Sequence, residues 1–297
     1  MEQKGHLYWL RRKLPNQKIL QEMDFLLSSF NLHTVCDSAL CPNRGECFQN
    51  KTATFMILGN ICTRNCNFCA VEKGKPLPVD NEEPYHVAKA AQQLGLKHIV
   101  ITSVTRDDLL DGGAEQFRKT ILEIKKLMPE STTEVLIPDF NGSMEALQKI
   151  INVFPEVINH NVETVPRLYS VVRPLAKYER SLELLSQVKV RNKNIISKSG
   201  LMVGLGETHE EVIQTMQDLR KVDCDVLTIG QYLRPSPRHL RVQQYLHPEQ
   251  FIEYQKIGIS LGFKYVASAP LVRSSYHAGE ILRKIISSKG EKEIEKE

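Results

Sequence analysis

A chain of 297 residues, 41% hydrophobic and 25% charged, has the balance of one large globular domain and excludes a disordered or low-complexity polymer. No apolar run approaches the roughly 20 residues that a membrane helix needs. A formal charge of +4 is too small to argue for nucleic acid but is compatible with an acidic protein partner. The expectation is a soluble cytoplasmic protein with neither a membrane nor a nucleic-acid partner.

Taken from the N-terminus, the first chemical feature is a cysteine triplet, Cys36, Cys41 and Cys47, among Pro42, Asn43 and Gly45. The stretch has no apolar periodicity, which predicts an irregular ligand loop. No signal peptide is evident ahead of it, so clustered thiols point to metal rather than to disulfides. Zinc would need a fourth ligand, for which His33 is at hand. An iron–sulfur cluster fits better, with one ligand to come from elsewhere.

Residues 54–59 read as a short apolar strand that ends just before a second triplet, Cys62, Cys66 and Cys69, spaced C-x3-C-x2-C. A [4Fe-4S] cluster takes a thiolate on each iron, so three cysteines leave one iron open to bind something else. The order of spacings differs from the bacterial ferredoxin run and lacks the histidines or paired knuckles of a zinc site. Structural zinc and unlinked buried thiols are the competing readings. The loop resembles the cluster loop of radical S-adenosylmethionine (SAM) enzymes, and it follows the C-terminal end of a strand, where α/β barrels place their chemistry. Thr63, Arg64, Asn65 and Asn67 suit a loop around an anionic cluster, with Phe68 as its one shielding ring.

Beyond this loop, strand patterns at 98–104, 134–139, 157–163, 195–203 and 225–231 alternate with helical patterns at 84–94, 114–127, 144–150, 181–188 and 209–219. Strand and helix in alternation predict parallel βαβ units. With residues 54–59 they make an α/β fold, a partial (β/α)6 barrel. Residues 1–48 form an N-terminal extension carrying the first triplet, residues 49–283 the barrel with its C-terminal segment, and 284–297 a charged, frayed tail. Cys224, at a helix-to-strand junction, reads as a small buried hydrophobe. The glycines between Gly200 and Gly206 lack the G-x-G-x-x-G spacing of a dinucleotide site.

Several blocks together resemble the lipoyl synthase family over nearly the whole chain. They are CPNRGEC at 41–47, TATFMILGNICTRNCNFC at 52–69, ITSVTRDDLLDGGA at 101–114, NHNVETVPRLYSVVRP at 159–174, KSGLMVGLGET at 198–208, LTIGQYLRPS at 227–236 and PLVRSSYHA at 270–278. Phe48, where that family commonly has Trp, departs outside the ligand positions. The resemblance implies a radical SAM barrel and a sulfurtransferase with two [4Fe-4S] clusters and SAM as cofactors. The Cys62, Cys66, Cys69 cluster would split SAM to a 5′-deoxyadenosyl radical that takes hydrogen from an octanoyl chain. The other cluster would be the sulfur donor at C6 and C8 of that chain, giving the lipoyl cofactor.

The same resemblance implies residue roles. Asp111, Gly112 and Gly113 would lie by the methionine end of SAM, where glycine lets the backbone come close. Asn161 and Glu163, alternating with Val162 on one strand, would share a face toward the ribose or ammonium. Arg173 and Arg234 would be carboxylate partners, since a guanidinium fork binds in pairs of hydrogen bonds. Each also has the plainer reading of a surface or capping group. The fourth ligand of the first triplet's cluster would come from Arg273-Ser274-Ser275-Tyr276, with Ser275 chosen over Ser274. A hard serine oxygen would leave that iron easier to release.

The expected partners are an octanoylated lipoyl carrier domain or H protein, an electron donor such as ferredoxin or flavodoxin, and an iron–sulfur carrier for cluster repair. Two rival readings are another sulfur-inserting radical SAM enzyme, such as a biotin synthase or a methylthiotransferase, and a noncatalytic iron–sulfur carrier or scaffold.

Overall fold

The computed structural model describes residues 7–11, 16–50 and 52–294, the side chains of 288–294 excepted. After a 3-10 turn at Tyr8–Leu10, helix α1 (Gln17–Ser29) leads into a two-residue strand β1 (His33–Thr34) and two short helices, α2 (Val35–Ser38) and α3 (Arg44–Gln49). Cys36 and Cys47 therefore lie on short helices, and only Cys41 on the irregular loop expected for the whole triplet. The reason is local: the Thr34 hydroxyl caps α2 by accepting from the Asp37 N–H at 3.2 Å.

Strand β2 (Thr54–Ile57) follows, then a small parallel pair, β3 (Ile61–Cys62) with β4 (Glu72–Lys73), and helix α4 (Glu83–Leu94). Next come β5 (His98–Ser103), α5 (Ala114–Leu127), β6 (Thr132–Leu136), α6 (Met144–Ile151), β7 (Val157–Asn159), α7 (Tyr169–Val172), α8 (Tyr178–Arg191), β8 (Ile196–Val203), α9 (His209–Lys221) and β9 (Val226–Gln231). The chain ends in α10 (Pro248–Ser260), β10 (Tyr265–Ser268) and α11 (Ala278–Ile294). Helix α5 shows why these segments fold: Ala114, Phe117, Ile121 and Ile124 recur at helical spacing and bury one stripe.

The main sheet has eight strands in the order β1-β2-β5-β6-β7-β8-β9-β10. All neighbours pair parallel except β1, which runs antiparallel to β2. Among the described residues no ladder joins β10 back to the first strands, so the barrel is partial. A further parallel strand, β10, extends the six read from sequence. Its four residues carry little apolar signal, with only Val266 buried.

Two elements differ from expectation in instructive ways. The strand expected over 157–163 stops at Asn159; the backbone then turns, Glu163 adopts a left-handed φ of 64°, and it touches β8 only at an isolated bridge to Leu201. The tail expected to fray from 284 is helical to Ile294, and residues 295–297 lie outside the described residues. Ile281, Leu282 and Ile285 of α11 pack on Val157, Ile196 and Val226, at the starts of β7, β8 and β9. There α11 covers a buried ion pair, Lys198 Nζ to Glu134 at 2.7 Å. That end of the barrel is closed by the helix, and the cavity opens at the other.

Candidate active site

The cavity, about 480 Å³, lies at the C-terminal ends of the strands. Its walls include all six cysteines of the two triplets, Asn161, Glu163, Arg173, Arg234, Ser274 and Ser275. Residues up to about 240 positions apart in sequence are thereby brought to one chamber. The cysteines form no disulfides. Burial pushes the Cys36 thiol up to about 11 and Cys69 up to about 12, and also raises Cys66. Such thiols stay neutral until a metal displaces the proton. Among the described residues no three His, Cys, Asp or Glu side chains converge on a single-ion site. Two sets of soft, free thiolate donors on one cavity fit clusters, where each thiolate takes its own iron.

The loop bearing Cys62, Cys66 and Cys69 is clamped from several sides. Cys62 Sγ accepts from the N–H groups of Arg64 and Thr105, both at 3.4 Å. Thr63 N–H and hydroxyl both donate to the Thr105 carbonyl, at 3.0 and 2.9 Å. Arg64, 5% exposed, forks onto Asp107 at 2.7 and 2.9 Å and reaches Asp139 at 2.7 Å. Burial alone would raise the Asp139 carboxyl, but the Arg64 guanidinium outweighs it and holds the group at about 2. From the far side the β9–α10 loop contributes the Leu240 N–H to the Asn67 carbonyl at 3.2 Å, and His239 Nε2 lies 3.1 Å from the Cys69 carbonyl. Sequence spacing carries no sign of these clamps, because their two halves come from different β–α units.

Asn161 and Glu163 do meet at the cavity, but through the turn after β7 and not through strand alternation. Asn161 Nδ2 donates to Glu163 Oε1 at 3.0 Å. Burial raises the Glu163 carboxyl above its ordinary range against the opposing pull of Arg173. Arg173 Nη1 donates to the Asn161 carbonyl at 2.8 Å. Asn161 Oδ1 and Arg173 Nε are buried with no hydrogen-bond partner within the protein, the state of groups kept for a polar ligand. Arg234 is different: exposed at the rim, it folds onto its own loop, donating to the carbonyls of His239 and Pro237.

Asp111, Gly112 and Gly113 are not among the residues lining the cavity. Asp111 caps α5, accepting from the N–H groups of Gly113 at 3.0 Å and Glu115 at 2.9 Å, and pairs with Lys149 at 3.1 Å. Gly113, at φ 91°, is required by packing, since a Cβ there would stand 2.2 Å from Leu58 Cδ1. Cys224 is fully buried beside the Val226 carbonyl, as a small core residue.

Residues 56–219 match the model of the radical SAM superfamily. The chain is 63% identical to the lipoyl synthase of Caldanaerobacter subterraneus subsp. tengcongensis over 91% of its own length and 94% of that protein. It is 56% identical to the lipoyl synthase of Caldicellulosiruptor saccharolyticus, over 92% and 95%. Among solved structures it resembles methylornithine synthase, with a TM-score of 0.56 at 14% identity, covering 69% of this chain and 61% of that one. It also resembles SuiB of Streptococcus suis, with a TM-score of 0.56 at 10% identity, covering 87% and 56%. The chain thus spans less than two thirds of either structure, and at these identities the likeness speaks for the fold alone.

Proposed function

The chain belongs to the lipoyl synthase family of the radical SAM superfamily, and we propose that its two cysteine triplets hold two clusters with separate tasks. It is a sulfurtransferase that inserts two sulfur atoms into a protein-bound octanoyl chain, at C6 and C8, to give the lipoyl cofactor. Its cofactors are SAM and [4Fe-4S] clusters, which when bound supply a hydrogen-abstracting radical and the sulfur that replaces the hydrogen.

Within this proposal Cys62, Cys66 and Cys69 hold the cluster that binds SAM, and the Arg64, Asp107 and Asp139 network keeps their loop in register. Asn161, Glu163 and Arg173 take the polar groups of SAM, while Arg234, held on its own loop, is left out of that set. Cys36, Cys41, Cys47 and Ser275 hold the sulfur-donating cluster. The observation that carries the reading is the shared cavity: both triplets, the serines and the unpartnered Asn161 and Arg173 atoms face one chamber. An acyl chain within it can meet a radical and a sulfur source without leaving the protein.

The substrate is carried by an octanoylated protein. We assign that role to a lipoyl domain or H protein, electron supply to ferredoxin or flavodoxin, and cluster repair to an iron–sulfur carrier. A cytoplasmic setting completes the proposal; among the described residues no helix is long and apolar enough to cross a membrane.

The test replaces each triplet by alanine. Without Cys62, Cys66 and Cys69, SAM cleavage should vanish while roughly half the iron stays, since each cluster has its own thiolates. Without Cys36, Cys41 and Cys47, SAM cleavage should persist and lipoyl product should not form. Equal loss of SAM cleavage in both variants, each holding its remaining iron, refutes the division.

A further inference from the structure

Ser274 and Ser275 occupy the middle of a turn closed by the Tyr276 N–H on the Arg273 carbonyl at 3.0 Å. Neither serine belongs to a regular element, so something must hold this turn against the first triplet. On one side the segment is laid onto the barrel: the Gln231 N–H donates to the Pro270 carbonyl at 3.1 Å. Gly230 must lack a side chain, because a Cβ there would stand 2.1 Å from the Val272 carbonyl oxygen.

On the other side the fastening comes from the triplet's own helix and the turn before it. Buried Asn43 donates through Nδ2 to the Leu271 carbonyl at 2.8 Å. Glu46, one residue before Cys47, accepts from the Tyr276 hydroxyl at 2.7 Å across 230 positions of sequence. The same Oε1 lies 3.6 Å from His277 Nε2. The two serines are thus bracketed by carbonyl 271 and side chain 276, both held by residues interleaved with Cys41 and Cys47.

We propose that Glu46 is a positioning residue: by receiving the Tyr276 hydroxyl it fixes the serine turn at the distance from Cys36, Cys41 and Cys47 at which a serine oxygen can complete their cluster. The proposal rests on the serine-ligand assignment above. A carboxylate suits the task because a charged acceptor makes a stronger hydrogen bond than a neutral one. Glutamine keeps an acceptor at the same place, so it should substitute in part.

The experiment compares full-length Glu46→Ala, Glu46→Gln and Tyr276→Phe. In the cluster-free protein, amide exchange over 271–277 should quicken about tenfold in Glu46→Ala and Tyr276→Phe, the loss of one charge-assisted bond, and by clearly less in Glu46→Gln. After anaerobic reconstitution, Mössbauer spectra of the two disrupting variants should show the change at one iron site that Ser275→Ala or Ser274→Ala produces. Glu46→Gln should keep the wild-type spectrum. Wild-type exchange in Glu46→Ala and Tyr276→Phe overturns the proposal, and so does faster exchange with an unchanged spectrum, which would make the contact a mere anchor. If neither serine variant alters the spectrum, the serine assignment itself fails. If a serine variant does and the Glu46 and Tyr276 variants do not, only the positioning role falls.

Discussion

Arg64→Met tests whether the cluster loop is built on a buried ion network. Methionine keeps the length and apolar stem of arginine while removing the cation, so Asp139, whose side chain is fully buried, loses its principal partner. Breaking a buried pair from one side costs about 3–5 kcal/mol because a charge is left uncompensated. Asp139 retains Arg180 at 3.2 Å and the Asn141 N–H at 3.1 Å, which places the expected loss near the lower end, about 3 kcal/mol. The pKa gives an independent magnitude. Asp139 is held at about 2 against an ordinary 3.8, which corresponds to about 2 kcal/mol of folding stability. Because the folded value is depressed, this contribution is complete above pH 4 and is lost as pH falls through 2. In Arg64→Met the carboxyl titrates higher, so acid destabilisation should begin at a higher pH. Urea unfolding of the cluster-free protein at pH 7 and along an acid series measures both quantities. Asp139→Asn added to Arg64→Met should recover part of the loss. A cost below about 1 kcal/mol, or strict additivity of the two substitutions, would refute the network as the loop's support.

Glu163→Ala should weaken SAM binding by about 1–3 kcal/mol, the loss of a charged hydrogen bond, with the iron retained; an unchanged binding titration would leave Glu163 a structural role only. His160, 1% exposed, lies 2.8 Å from the Ile137 carbonyl through Nδ1 and 3.0 Å from the Ser181 hydroxyl through Nε2. Burial, aided by Arg173, lowers its pKa to about 4, so the folded state favours the neutral ring. The resulting stability is full above pH 6.5 and is lost as pH falls through 4, about 3 kcal/mol in all. His160→Gln should therefore flatten the pH dependence of urea stability between 6.5 and 4, and an unaltered slope would contradict the assignment.

Local pattern was sufficient for much of this molecule. The spacing of Cys62, Cys66 and Cys69 is the local pattern on which the proposed cluster rests, and the apolar stripe of α5 sets that helix at 114–127 in both sequence and structure. The alternation of strands and helices predicts a parallel sheet because a crossover helix is what joins parallel neighbours. Shorter elements were not legible. The two residues of β1 and the four of β10 owe their extended form to the strands they pair with, and α2 starts at the Thr34 cap rather than from any periodicity.

The site divides along the same line. Sequence named the residue types that could serve SAM and the clusters, but not which of them face one another. Asp111 carries the same carboxylate as Glu163, yet the nearest donors to Asp111 are the N–H groups opening α5, while Glu163 is turned into the cavity by a left-handed backbone. The Glu46 to Tyr276 contact and the meeting of both triplets in one chamber lie beyond any local signal. Periodicity and spacing encode what a segment is over a few residues. Which donor a carboxylate finds, and which loops share a cavity, is set by the folding back of distant segments, where burial leaves each polar group only the partners that packing has brought within reach.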